Sequence, residues 1–153
     1  MEHKNANLKK IFKLSWSTEE IFFKSFEHAT KLPDGLNFTH VKAIMNLNHG
    51  GPQCMSSISK KLVMEKGSFT TVAQKIISKG YVEKIQDEGD KRRFRLNLTD
   101  KGNELAERIK IEHLAHINAI IKTFSDEEKD EYFALMEKLS GYNTRLIATL
   151  NIK

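Results

Sequence analysis

Apolar positions along the first half of the chain recur at helical spacing, in four separate runs. Between residues 8 and 31, Leu8, Ile11, Phe12, Phe22, Phe23 and Phe26 give an interrupted helical stripe. Ser15-Trp16-Ser17-Thr18 breaks the pattern, and Ser17 followed by Glu20 predicts a capping box that restarts the helix. Pro33-Asp34-Gly35 carries turn chemistry. Asn37 is then the expected N-cap of a second helix, with Val41, Ile44, Met45 and Leu47 as its stripe and His49-Gly50-Gly51-Pro52 as its end. A short helix over 55–62 turns Met55, Ile58 and Leu62 inward. A further helix over 66–79 gathers Phe69, Val72, Ala73 and Ile76 into one stripe about 100° wide, and Gly80 closes it.

The period then falls to two. Tyr81 to Ile85 is rich in strand formers, and Phe94-Arg95-Leu96-Asn97-Leu98 alternates apolar with polar. The charged segment 86–92, with a glycine near its tip, joins them into a hairpin. Helical spacing returns over 99–123 through Leu114, Ile117, Ile121 and Phe124. Ser125-Asp126-Glu127-Glu128 reads as a capping box opening a last helix, whose stripe is Tyr132, Leu135, Met136, Leu139, Leu146, Ile147 and Leu150. The order is four helices, two strands, two helices, with no repeat, low-complexity tract or linker. The fold class is therefore mainly α with a small β-hairpin, in one domain spanning 1–153.

A short helix, a tight turn, a second helix and a hairpin follow each other as in a winged helix-turn-helix. Such a helix is narrow enough for the DNA major groove, while the hairpin reaches the backbone or minor groove. With Phe69, Val72 and Ile76 inward, 100° per residue turns Gly67, Thr71, Gln74, Lys75 and Ser78 outward. None of these is acidic. Glutamine suits adenine and lysine suits guanine. Lys66, Ser68 and Thr70 at the helix start are placed to hold phosphates.

Charge sharpens this picture. The net charge is +5, and residues 55–98 carry all of it, with ten basic residues against five acidic ones. A polyanion-binding face has this signature, although a lysine-rich solvated face does too. Arg93 and Arg95 fit either a phosphate contact or a strand edge protected by charge, whereas Arg92 at the loop tip fits contact with DNA. A winged helix that binds a partner protein is the rival reading, separable by the salt dependence and sequence preference of duplex binding.

Other chemistry adds little. A chain of 153 residues can bury a core without disulfides, and the single cysteine, Cys54, fits a reducing compartment. Cys54 reads either as a small apolar packer or as a redox-sensitive thiol. The polar start at residues 1–10 and the lack of a long apolar run predict neither signal peptide nor membrane span, hence a cytoplasmic protein. His113 and His116 share a helix face beside Glu112, but the wider ligand pattern of a metal site is missing. No nucleophile elbow, phosphate loop or zinc-protease motif is present, so neither an enzyme nor a cofactor is expected.

The chain resembles the MarR (multiple antibiotic resistance regulator) family over nearly all its length. The resemblance rests on Met55-Ser56-Ser57-Ile58-Ser59-Lys60-Lys61-Leu62, on Phe69-Thr70-Thr71-Val72 through Lys79-Gly80-Tyr81-Val82, and on Asp90-Lys91-Arg92 leading into Leu96-Asn97-Leu98-Thr99-Asp100-Lys101-Gly102. It implies a homodimeric repressor that leaves a pseudo-palindromic operator when a small molecule, such as an aromatic acid, binds. The DNA-binding lobe would span 37–98 and the dimerisation region 6–32 with 99–150. Helix 66–79 would enter the major groove, Ser56 and Lys91 would join the contacts, and Arg92, positioned by Asp90, would enter the minor groove. The effector crevice would lie where the first two helices meet helix 99–123, with Trp16, Phe23, Phe26 and His40 as candidates. Two positions depart from the pattern: Val63 stands where a turn glycine is common, and Glu65 where a Ser or Thr cap is usual.

Overall fold

The computed structural model describes residues 2–150 except Asp34, Lys66 and Glu88, and side chains from residue 6 onward. Asp34 of the expected turn and Lys66 of the expected phosphate contact thus lie outside the described residues. The chain forms two compact units, 1–114 and 115–153. No described helix is long and apolar enough to cross a membrane.

The first unit opens with α1 (Glu2–Thr18), a π-helical turn (Glu19–Lys24) and α2 (Ser25–Ala29). The expected restart at Ser17 does not occur. Thr18 keeps helical dihedrals, and the Ser17 hydroxyl donates back to the Leu14 carbonyl at 3.1 Å. The change of phase is absorbed instead by the wider turn, in which the Ser25 N–H reaches the Glu20 carbonyl five residues back.

α3 (Phe38–Gly50) starts as the sequence predicts. Asn37 accepts the His40 N–H at 3.2 Å, and His40 Nδ1 accepts the Asn37 N–H at 3.0 Å, closing a capping box. Histidine thus fills the place usually taken by Glu or Gln. Burial and then the charge of Lys75 hold the His40 imidazole below its usual pKa, so it stays neutral in the fold. Protonation would put a hydrogen on the nitrogen that must accept. Stability from this group is therefore present above its unfolded pKa of about 6.5 and is lost as pH falls through the lower folded value. We expect wild type to lose more melting temperature than His40→Gln, whose amide can still cap, between pH 7.5 and 5. Parallel curves for the two proteins would contradict this role.

α4 (Met55–Lys61) and α5 (Ser68–Ser78) complete the helical part of the lobe, and β1 (Val82–Gln86) pairs antiparallel with β2 (Phe94–Leu98), Val82 opposite Leu98 and Gln86 opposite Phe94. The core joins Ile44 and Leu47 of α3, Ile58 of α4, Phe69 and Ile76 of α5, Val82 and Leu96 of the hairpin, and Leu105, Ala106 and Ile109 of α6 (Asp100–Ile121). On α3, α4, α5 and the hairpin these are the apolar positions expected from the sequence, removed from water together, whereas α6 contributes Leu105, Ala106 and Ile109, and Leu114 of its expected stripe is exposed. The second unit contains α7 (Asp126–Thr149), opened by the expected Ser125–Glu128 capping box, and no α7 side chain is buried.

A third strand segment escaped the sequence pattern. Gln53 exchanges both backbone hydrogen bonds with Leu96, at 3.0 and 2.7 Å. Its buried side chain donates to the Asn46 carbonyl and side-chain oxygen, both at 3.1 Å, and accepts from Lys61 Nζ at 2.6 Å. One residue thus ties α3, α4 and the hairpin together, the helices through its side chain and β2 through its backbone.

Candidate nucleic-acid interface

The exposed face of α5 follows from its inward stripe. Phe69, Val72, Ala73 and Ile76 are buried, which leaves Ser68, Thr70, Thr71, Gln74 and Ser78 exposed. Gly67, not Glu65, stands at the N-cap, with φ +102° and no side-chain cap, and its carbonyl accepts the Thr70 N–H at 3.1 Å. Glu65 lies one turn earlier, where its carbonyl accepts the Ser68 N–H. The α4–α5 turn passes through Val63 at φ +52°, with its side chain 92% exposed. A β-branched residue is strained in that region, the conformational need that makes glycine common there.

Ser56, Gly67 and Thr70 come together along a groove of about 410 Å³ between α4 and α5, floored by Met55, Met64 and Phe69. Thr71 and Gln74 continue the exposed α5 face. Lys75 is only half exposed and leans toward the loop before α3, close enough to Gly35 that a side chain there would touch its ammonium group. It does not line the Ser56–Thr70 groove, and its charge also acts on His40.

The hairpin tip is built by two aspartates. Asp87 Oδ1 accepts the amides of Gly89 and Asp90 at 3.0 and 3.1 Å, and Asp90 Oδ1 accepts the Arg92 amide at 3.0 Å. Gln86 Nε2 donates to the Lys91 carbonyl at 2.8 Å. Asp90 therefore orders the backbone under Arg92 and leaves the guanidinium to solvent; Asp90, Lys91 and Arg92 are all exposed. Arg95 is spent internally, on the Pro52 carbonyl and on Asp87 at 3.8 Å. Arg93, by contrast, lines a shallow cleft with exposed Cys54, whose thiol is held below its usual pKa mainly by the Ser56 hydroxyl at 3.3 Å.

A second site lies among α2, α3 and α6. A cavity of about 370 Å³ is walled by Phe23, Phe26, Phe38, Val41, Met45 and Ile109, with His113 as a polar group and the Lys42–Glu27 ion pair, 3.0 Å, among its lining. Phe23 and Phe26, two of the four residues for which the resemblance implied a crevice, line this one cavity. Trp16 and His40 do not line it: Trp16 is exposed, with Lys24 Nζ 4.9 Å from its ring, and His40 caps α3. The polar residue that sequence reasoning missed here is His113, which it had weighed only against metal binding.

Three comparisons bear on what this arrangement does. A model of the MarR family matches residues 36–94, the span from α3 into β2. The HTH-type transcriptional regulator BilQ of Clostridioides difficile is 33% identical over 126 residues, covering 82% of this chain and 78% of that protein. YkoM of Bacillus subtilis, named as an uncharacterised HTH-type transcriptional regulator, is 29% identical over 90% of this chain and 99% of its own length. Among solved structures, Streptococcus pneumoniae FabT in complex with DNA superposes with a TM-score of 0.61 at 25% identity, over 95% of this chain and 98% of that one.

Proposed function

Because the chain belongs to the MarR family of transcriptional regulators, we propose that it is a homodimeric repressor that binds a pseudo-palindromic operator and is released by a small molecule. The observation carrying the DNA reading is the exposed, acid-free face of α5, beside a hairpin whose tip holds Arg92 out by an aspartate-ordered backbone. In this reading residues 37–98 form the DNA-binding lobe, and 6–32 with 99–150 form the dimerisation region. Ser68 and Thr70 hold phosphates at the start of α5, Thr71 and Gln74 face base edges, Ser56 and Lys91 add backbone contacts, and Arg92 enters the minor groove. FabT was solved on DNA, and this chain shares its fold along almost its whole length. The protein carries out no catalysis in this reading and acts where DNA is, in the cytoplasm.

The effector reading rests on the apolar cavity among α2, α3 and α6, which has the mixed character of small-molecule sites: aromatic walls and few polar groups. Its position next to the reading lobe lets an occupant bias that lobe, and by linkage DNA and effector then weaken each other's binding.

Selection of bound fragments from random duplex DNA by the purified protein tests the function. A two-fold symmetric consensus, bound with a steep loss of affinity as salt rises, is the expected result. Equal affinity for random and selected duplexes would favour the rival protein-binding module. On the selected operator, Arg92→Ala is expected to cost on the order of 1–3 kcal/mol with unchanged circular dichroism. A variant with wild-type affinity would remove Arg92 from the interface.

A further inference from the structure

We propose that the π-helical turn Glu19–Lys24 is a register switch for α1, held in its π form by His113. The inference rests on the reading of the chain as a DNA binder under effector control, and it assigns the part that transmits the signal. π-Helical turns are uncommon, and inside an α-helix each accommodates one extra residue. Here two successive carbonyls of the turn receive side-chain donors. The Ser25 hydroxyl donates to the Ile21 carbonyl. His113 Nε2, from α6, lies 2.7 Å from the Phe22 carbonyl. A carbonyl can only accept, so Nε2 carries the proton.

The imidazole is fixed in place by rings. It stacks on Phe26 at 4.5 Å and 24°, with Phe23 tilted against it at 5.7 Å. All three residues line the 370 Å³ cavity. An occupant with a hydrogen-bond acceptor would therefore meet the donor that reaches the turn from α6. Taking the His113 proton away from the Phe22 carbonyl would remove the support from outside the helix and favour the ordinary α pattern.

Conversion of one π turn to α advances the preceding helix by one residue, about 1.5 Å along the axis and 100° around it. α1 is the helix so moved. It carries Leu8, Ile11 and Phe12 at helical spacing, all exposed, Phe12 by 73%. A 100° rotation takes this stripe off any surface it packs against, so a small change at His113 is amplified into a change of packing partner. His113 is thus a positioning residue acting through the Phe22 carbonyl.

The only tryptophan reports on the switch. Trp16 and Lys24, eight residues apart, would stand about 80° apart around a regular α-helix, yet Lys24 Nζ lies 4.9 Å from the indole across the π turn. Three variants of the full chain, without added ligand, test the idea. His113→Phe keeps a ring for stacking but has no donor. His113→Gln can still donate to the carbonyl. Deletion of Glu20 removes the extra residue.

His113→Phe and the deletion are expected to shift Trp16 emission in the same direction and to lose about tenfold or more in operator affinity, with helical content retained. His113→Gln should stay near wild type in both. If His113→Phe keeps wild-type emission and affinity, the switch is wrong. The same holds if His113→Gln behaves like His113→Phe, because then shape and not the hydrogen bond matters. Should the deletion variant fail to fold, the two His113 variants decide alone. If the wild type prefers no DNA sequence, the proposed function fails, while the Trp16 emission of the variants still decides the switch.

Discussion

Gly102→Ala is expected to cost roughly 3–5 kcal/mol of stability, which combines overpacking against backbone with the loss of nearby hydrogen bonds. A Cβ at this position would stand 2.0 Å from the Tyr81 carbonyl oxygen and 3.1 Å from both the Tyr81 carbonyl carbon and Leu98 Cδ2. The backbone cannot back away cheaply. Thr99 donates its amide to that same Tyr81 carbonyl at 3.2 Å and its hydroxyl to the Gly80 carbonyl at 2.7 Å, while the Gly102 amide donates to the Thr99 hydroxyl at 3.1 Å. This knot fastens the start of α6 to the turn that follows α5, so the Leu-Thr-x-x-Gly run of the sequence is a packing joint. A loss of this size is a large share of a typical domain's 5–15 kcal/mol and should lower the melting temperature by roughly 10 °C. Gly141→Ala is the matched control: nothing lies within 4 Å of a Cβ there, and alanine inside α7 should stabilise by about 0.5–1 kcal/mol. Urea denaturation of both variants checks the contrast. Equal stability of Gly102→Ala and wild type would mean that the start of α6 moves freely from the turn.

The joint illustrates which parts of this molecule can be read from its sequence. Most local devices were legible: Asn37 and Ser125 cap their helices, the apolar stripe of α5 is the buried one, and the hairpin strands pair where alternation predicts, while the Ser17–Glu20 box does not form because the helix runs through it. These depend on residues within a few positions of each other, where periodicity carries the information. Features made by distant partners were not. Gln53 forms a single bridge to Leu96, too short to show any period, and its side chain matters because Asn46 and Lys61 happen to surround it. The π turn has the composition of an ordinary helix and is distinguished only by its phase. The cap of α5 is Gly67, two residues later than the sequence suggested, and Glu65 instead offers its carbonyl to the Ser68 amide.

The candidate sites divide in the same way. The α5 face could be derived from its opposite, since burying Phe69 and Ile76 leaves Thr71 and Gln74 no other direction. The cavity could not. Phe23 and Phe26 were named through the family resemblance, but the polar group among them comes from 87 positions beyond Phe26, on α6. His40 was the polar candidate for the crevice that the resemblance implied, and its use as a cap became visible only with the Asn37 geometry.

A monomeric variant gives the largest functional effect we expect. Leu135, Leu146, Ile147 and Leu150 of the last helical stretch are exposed by 54–65%, an apolar row that a single chain leaves in water. Contiguous exposed apolar surface of this kind marks an interface. Glutamates at both Leu146 and Ile147 should abolish pairing, because burying two carboxylates against a second copy is far costlier than leaving them in water. The fold itself should survive, since no α7 side chain is buried and glutamate is a good helix former. A dimer binds its second half-site intramolecularly, at an effective concentration set by the protein scaffold, so loss of pairing removes about a hundredfold or more of operator affinity. Binding to a single half-site should change little, because α5 and the hairpin tip are untouched. Sedimentation velocity at micromolar concentration, with operator and half-site titrations, measures all three quantities. A double variant that still sediments as a dimer would move the interface away from this helix. One that is monomeric yet binds the full operator as wild type does would show that one lobe suffices, and the two-fold reading of the operator would fall with it.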